Sequence, residues 1–144
     1  MIRAIAILLA GGLLLSACGT QSMSTAMKTW TRESTYGANN KTLLGDVQHS
    51  ATALRVANEG VNDLHTVCGV LLMESEQANG ALPTPDALVN TLLSKAYGNL
   101  GAGANVCYRS GNDPAKRARA LRFLSQGVAQ LAEASARIRS DLTP

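Results

Sequence analysis

From Asn39 to the end of the chain, apolar residues return every three or four positions, and no stretch alternates convincingly with a period of two. Leu44, Val47, Ala51 and Leu54 form one such stripe, and Val61, Leu64, Cys68, Leu71 and Ala78 a second. Val89, Leu93, Ala96, Leu100, Ala104 and Cys107 form a third, and Leu121, Leu124, Val128, Leu131, Ser135, Ile138 and Leu142 a fourth. A stripe with that spacing covers one face of an α-helix, whereas a half-buried strand needs every second residue apolar. Separated by short connections, the four stripes predict an all-α fold, an antiparallel bundle of about four helices.

The punctuation agrees with the stripes. Asn39 or Asn40 can cap the first helix, and Gly80 suits a left-handed stop after the second. In Leu82-Pro83-Thr84-Pro85-Asp86, Thr84 is a capping residue, Pro85 sits where a missing N–H costs nothing, and Asp86 favours the positive helix end. Asp113 caps the fourth helix and Pro114 begins it. A short additional helix over Thr25–Ser34 would turn Trp30 inward. Gly98, Gly101 and Gly103 weaken the third helix by up to about 1 kcal/mol each relative to alanine. They also give a neighbouring helix room to approach, or leave space for an apolar ligand.

The first residues read differently. Arg3 is followed by an uncharged run from Ala4 that meets polar sequence after Leu15. The run has the order of a secretory signal and is short of the about 20 residues that cross a hydrocarbon core. It ends in Leu15-Ser16-Ala17-Cys18, which resembles the lipobox of bacterial lipoproteins. The resemblance implies a signal peptide over 1–17 and a diacylglyceryl thioether on Cys18, which becomes the first residue after cleavage. Residues 18–38 then form a lipidated tether, with or without the short helix, and 39–144 form the bundle. Acyl chains at about 0.8 kcal/mol per buried methylene hold such a domain on the outer face of a cell membrane.

With Cys18 acylated, Cys68 and Cys107 are an even pair in an oxidising compartment, and a disulfide is the expected outcome. Closing roughly 40 residues stabilises a fold by about 4 kcal/mol in the chain-entropy model. A flush hairpin opposes that pairing, because Cys68 lies about 18 Å below the turn and Cys107 about 33 Å beyond Pro85 at the helical rise. Two remedies are open, an extended connection through Ala78–Thr84 or a break of the third helix at its glycines. The prolines favour the first.

Composition narrows the function. The chain carries 13 Lys and Arg against 10 Asp and Glu. The excess sits late, where Arg109, Lys116, Arg117, Arg119, Arg122, Arg137 and Arg139 face only Asp113, Glu133 and Asp141. Trp30, Tyr36, Tyr97, Tyr108 and Phe123 are the aromatic residues. So few stacking platforms disfavour nucleic-acid and sugar partners. Lys116, Arg117, Arg119 and Arg122, crowded at the positive start of the last helix, form a candidate patch for an anionic partner such as lipid headgroups.

Catalytic and metal readings are weaker than their structural alternatives. His65, Cys68, His49 and Cys107 could be imagined around a metal, but the cysteines are better used in a disulfide and the histidines lack ligand spacing. Asp46 and His49 could orient an imidazole toward Ser50 or Ser75, but no nucleophile elbow is present. Glu74 and Glu76, two apart on a helix, point in different directions. No glycine-rich phosphate loop follows a strand. No metal, cofactor or catalytic residue is expected.

Asp46, Cys68, the Leu82–Asp86 turn, Cys107 and the stretch Gly111-Asn112-Asp113-Pro114 together resemble a helical domain of actinobacterial lipoproteins and envelope proteins, over roughly residues 25–140. That resemblance implies a secreted, disulfide-bonded helical domain with no catalytic residues to carry over. The expectation is therefore a non-enzymatic, lipid-anchored binding domain with an envelope partner. The alternative is a carrier of a small apolar ligand or lipid in the bundle core.

Overall fold

The computed structural model describes residues 21–56 and 60–143, so the signal segment and Cys18 lie outside the described residues. Five helices are present: α1 (Met23–Glu33), α2 (Tyr36–Arg55), α3 (Val61–Asn79), α4 (Ala87–Tyr108) and α5 (Pro114–Leu142). Helices α2 to α5 form an antiparallel four-helix bundle in which each packs on the next and α5 closes back on α2, with α1 added against α5 and α2. The expected all-α bundle is what forms, and the short helix before it is real. Among the described residues no helix is long and apolar enough to cross a membrane.

Helix ends follow local chemistry, with three departures from expectation. Helix α2 begins at Tyr36, because Thr35 adopts a left-handed conformation (φ 49°) that turns the chain sharply out of α1. Asn39 therefore lies inside the first turn, where its amide donates back to the Ser34 carbonyl and the Thr35 hydroxyl instead of capping. Gly80 is right-handed (φ −65°), and the chain leaves α3 through further tight turns, Ala81 N–H to Ala78 and Leu82 N–H to Asn79. Helix α4 starts two residues later than Thr84 suggested: Asp86 is the cap, accepting from the Val89 N–H. Asp113 caps α5 as expected, accepting from the Ala115 and Lys116 N–H groups ahead of Pro114.

Cys68 and Cys107 are joined, with Cα atoms 5.9 Å apart. Helix α4 is unbroken through its glycines. The irregular connection 80–86 therefore absorbs the offset of about 13 Å between the two half-helices, at 1.5 Å per residue.

The third stripe is buried at every expected position. The second stripe is buried at Leu64, Cys68, Leu71 and Ala78, while the first and fourth are rotated. In α2, Leu43 and Ser50 are buried while Leu44 is exposed, and Ser50 is tolerated in the core because its hydroxyl donates to the Val67 carbonyl. In α3, Val61 is exposed. In α5 the buried row runs Ala120, Leu124, Gly127, Leu131, Ala134 and Ile138, leaving Leu121, Val128 and Leu142 half-buried beside it.

The rotation in α5 comes from close approach to α4. A Cβ on Gly127 would meet the Leu100 side chain at 2.6 Å and the Ala96 carbonyl at 3.1 Å, and one on Gly103 would meet Leu124 at 2.7 Å. These glycines are filled by leucines from the facing helix, so their missing side chains open no cavity in the core. Gly98 differs, since a Cβ there meets nothing within 4 Å. Gly127→Ala is expected to destabilise the fold by about 1–3 kcal/mol through overpacking. Gly98→Ala should stabilise it by about 0.5–1 kcal/mol through helix propensity. Chemical denaturation of the two variants checks the opposite signs.

Candidate functional site

A trough of about 670 Å³ lies over the outer face of α4. Ser94, Gly98, Gly101 and Ala102 make its floor, Leu72 of α3 one wall and Phe123 of α5 the other. The floor is low because the residues that face outward there carry little or no side chain. Glu76 stands at the α3 rim and Arg119 at the α5 rim, with the Arg119 guanidinium 5.6 Å from the centre of the Phe123 ring. Such a surface suits a docked segment or a flat apolar ligand. An enclosed space beside Tyr97, Tyr36 and Asn40 measures only about 10 Å³, less than one water comfortably needs. Burial raises the Tyr97 hydroxyl well above the usual phenol range, and raises that of Tyr36 against the opposing hydrogen bond to Ser135.

The expected basic patch loses one member. Lys116, Arg119 and Arg122 are exposed at the start of α5, and Lys116 lies 3.8 Å from Asp113. Arg117 is 7% exposed and points inward. Its guanidinium donates to the Gly111 carbonyl at 2.7 Å, the Val56 carbonyl, and the Asn112 side-chain oxygen at 3.3 Å. Arg117 is therefore a brace tying the end of α2 to the α4–α5 turn, and it does not face a partner. Its position one residue from Lys116 allowed either role; only the packed turn decides.

The catalytic candidates are kept apart. The His49 side chain is 76% exposed and 4.0 Å from Asp46. The Ser50 hydroxyl is spent on Val67 and that of Ser75 on Leu72, so neither is offered to the imidazole. His65 stacks on Tyr108 with ring centres 4.2 Å apart, and both candidate cysteine ligands are in the disulfide. Among the described residues no three His, Cys, Asp or Glu side chains converge as a metal site.

A polar corner at the other end of the bundle was read from sequence only as a cap. Asp86 bonds the Val89 N–H through one oxygen and the Arg137 guanidinium, at 3.1 Å, through the other. Arg137 also reaches Asp141 at 3.2 Å. The Thr84 hydroxyl donates to the Asp86 carbonyl, and the Asn90 side chain accepts from the Thr84 N–H. The Trp30 indole N–H donates to the Ala81 carbonyl, fastening α1 to the same loop. No local motif announced Arg137, because it lies 51 residues from its partner.

The Val89 N–H, aided by Arg137, holds the Asp86 carboxyl below the usual aspartate range against the opposing effect of burial. A carboxyl lowered in the folded state adds stability above its unfolded pKa, and that stability is lost as pH falls through the folded value. Asp86→Asn should therefore flatten the acid limb of the stability profile below about pH 4, read from melting temperature against pH. Arg117→Ala is expected to cost about 1–3 kcal/mol by removing its hydrogen bonds to the Gly111 and Val56 carbonyls. Arg119→Ala and Arg122→Ala should each stay within about 0.5 kcal/mol, and denaturant midpoints separate the two classes.

Compared with known proteins, the chain matches no family model, no curated protein and no solved structure.

Proposed function

We propose that this chain is a lipid-anchored lipoprotein of the cell envelope whose helical bundle binds or positions another envelope component without catalysing a reaction. The observation that carries the reading is Cys18, placed directly after an apolar run in Leu15-Ser16-Ala17-Cys18. The Cys68–Cys107 bridge supports it, since such bonds persist where thiols are oxidised. The non-enzymatic part is supported by hydroxyls already bonded to carbonyls and a histidine turned to solvent. The partner docks on the trough over α4 or on the face of Lys116, Arg119 and Arg122. That face also suits anionic lipid headgroups, at about 1 kcal/mol per cation close to the surface.

The trough favours a second reading, a carrier of a small apolar ligand. The ligand would lie across Gly98 and Gly101 on the outside of α4, because the inner glycines are filled. Lipid co-purifying with the protein, and lost on Gly98→Leu, would select it.

Intact mass of the membrane-extracted protein, with and without reductant, tests the leading reading. The expected species begins at Cys18, carries acyl mass, and gains two hydrogens on reduction. An unacylated species that retains residues 1–17 overturns the anchor.

A further inference from the structure

We propose that the stacked rings of His65 and Tyr108 form a cover over the Cys68–Cys107 disulfide and hold reducing thiols away from it in the folded protein. The inference concerns the bridge alone and stands whether or not the chain is lipid-anchored.

His65 lies one turn before Cys68 on α3, and Tyr108 directly follows Cys107 on α4. The two rings therefore spring from the same helices as the two sulfurs and meet across the same seam. Their centres are 4.2 Å apart and their planes differ by 12°. Both cysteines are completely buried, whereas Tyr108 is 41% exposed, so at this seam the ring is the outer layer and the bridge the inner one. Gly69, beside Cys68, lets the ring lie low on α3: an added Cβ would already touch it at 3.8 Å.

Reduction has a strict geometric demand. A thiolate must approach one sulfur along the S–S axis, forming a mixed disulfide as that bond breaks and the other cysteine leaves as thiolate. A second thiol of the reductant then displaces the remaining cysteine, so that two electrons and two protons pass from a dithiol to the pair. A fully buried bridge offers no such approach until something moves. Neither ring makes a side-chain hydrogen bond or ion pair among the described residues, so the stack itself sets the cost of opening. An exposed side chain flips in nanoseconds or less, far faster than thiol exchange, so the population of the open form controls the rate.

The test follows reduction of the folded, oxidised protein by excess dithiothreitol, with alkylation and mass readout. Tyr108→Ala should accelerate reduction about tenfold, the scale of one aromatic stack. His65→Ala should accelerate it less, and Tyr108→Phe, which keeps the ring, should leave it unchanged. Gly127→Ala is the control, a variant weakened far from the bridge. Equal rates for Tyr108→Ala and the parent overturn the proposal, as does an equal acceleration by Gly127→Ala, which would mean that reduction proceeds through global unfolding. Should Tyr108→Ala not fold, Tyr108→Leu and His65→Ala carry the same reading.

Discussion

Leu100 of α4 rests where a side chain on residue 127 would be, and Leu124 of α5 rests where one on residue 103 would be. This reciprocal exchange of leucine for glycine lets the two longest helices come together over much of their length. It also dictates what else can happen. With α5 so near, the small Ala120, Gly127 and Ala134 alternate with Leu124, Leu131 and Ile138 along the buried row, and Leu121 and Val128 are left at the flank. On its opposite side α4 is fixed to α3 by a covalent bond. A helix held on both sides in this way leaves its remaining outer face bare, and on that face the small side chains of α4 leave a trough.

Two arginine arrangements, one around the buried Arg117 and one in which the exposed Arg137 meets the buried Asp86, show how the bundle uses its excess of positive charge. At one end Arg117 donates, among the described residues, to main-chain and amide oxygens, which lets a cation close a turn. At the other, Arg137 stands between two carboxylates, Asp86 and Asp141. A charged group taken from water must recover its lost hydration through hydrogen bonds, and both ends meet that requirement by different means. The cations left for an external partner are then fewer than the sequence suggests, chiefly Lys116, Arg119 and Arg122.

Polar side chains inside the bundle are similarly committed. Ser50, Ser75, Thr84 and Ser110 each give their hydroxyl proton to a carbonyl, which lets small polar residues sit in a helical core at little cost. The same commitment withholds them from chemistry on a substrate. The proposed binding role rests instead on the shape of the trough and the charge on its α5 rim.

Periodicity and caps determined the class of fold, the four bundle segments and the start of α5 at Pro114, because each depends on neighbours within a few residues, and with Cys18 set aside the remaining pair of cysteines pointed to the Cys68–Cys107 bond. The sequence could not determine which edge of an amphipathic stripe is buried. Leu43 and Leu44, or Ala120 and Leu121, are equivalent until a partner helix arrives at a particular distance and angle. Tertiary structure alone decided that Arg117 turns inward, that Arg137 finds Asp86, that Gly103 and Gly127 are packed while Gly98 is open, and that the rings of His65 and Tyr108 stack. Those outcomes join residues tens of positions apart, and they are settled by the packing of whole helices, which no local pattern records.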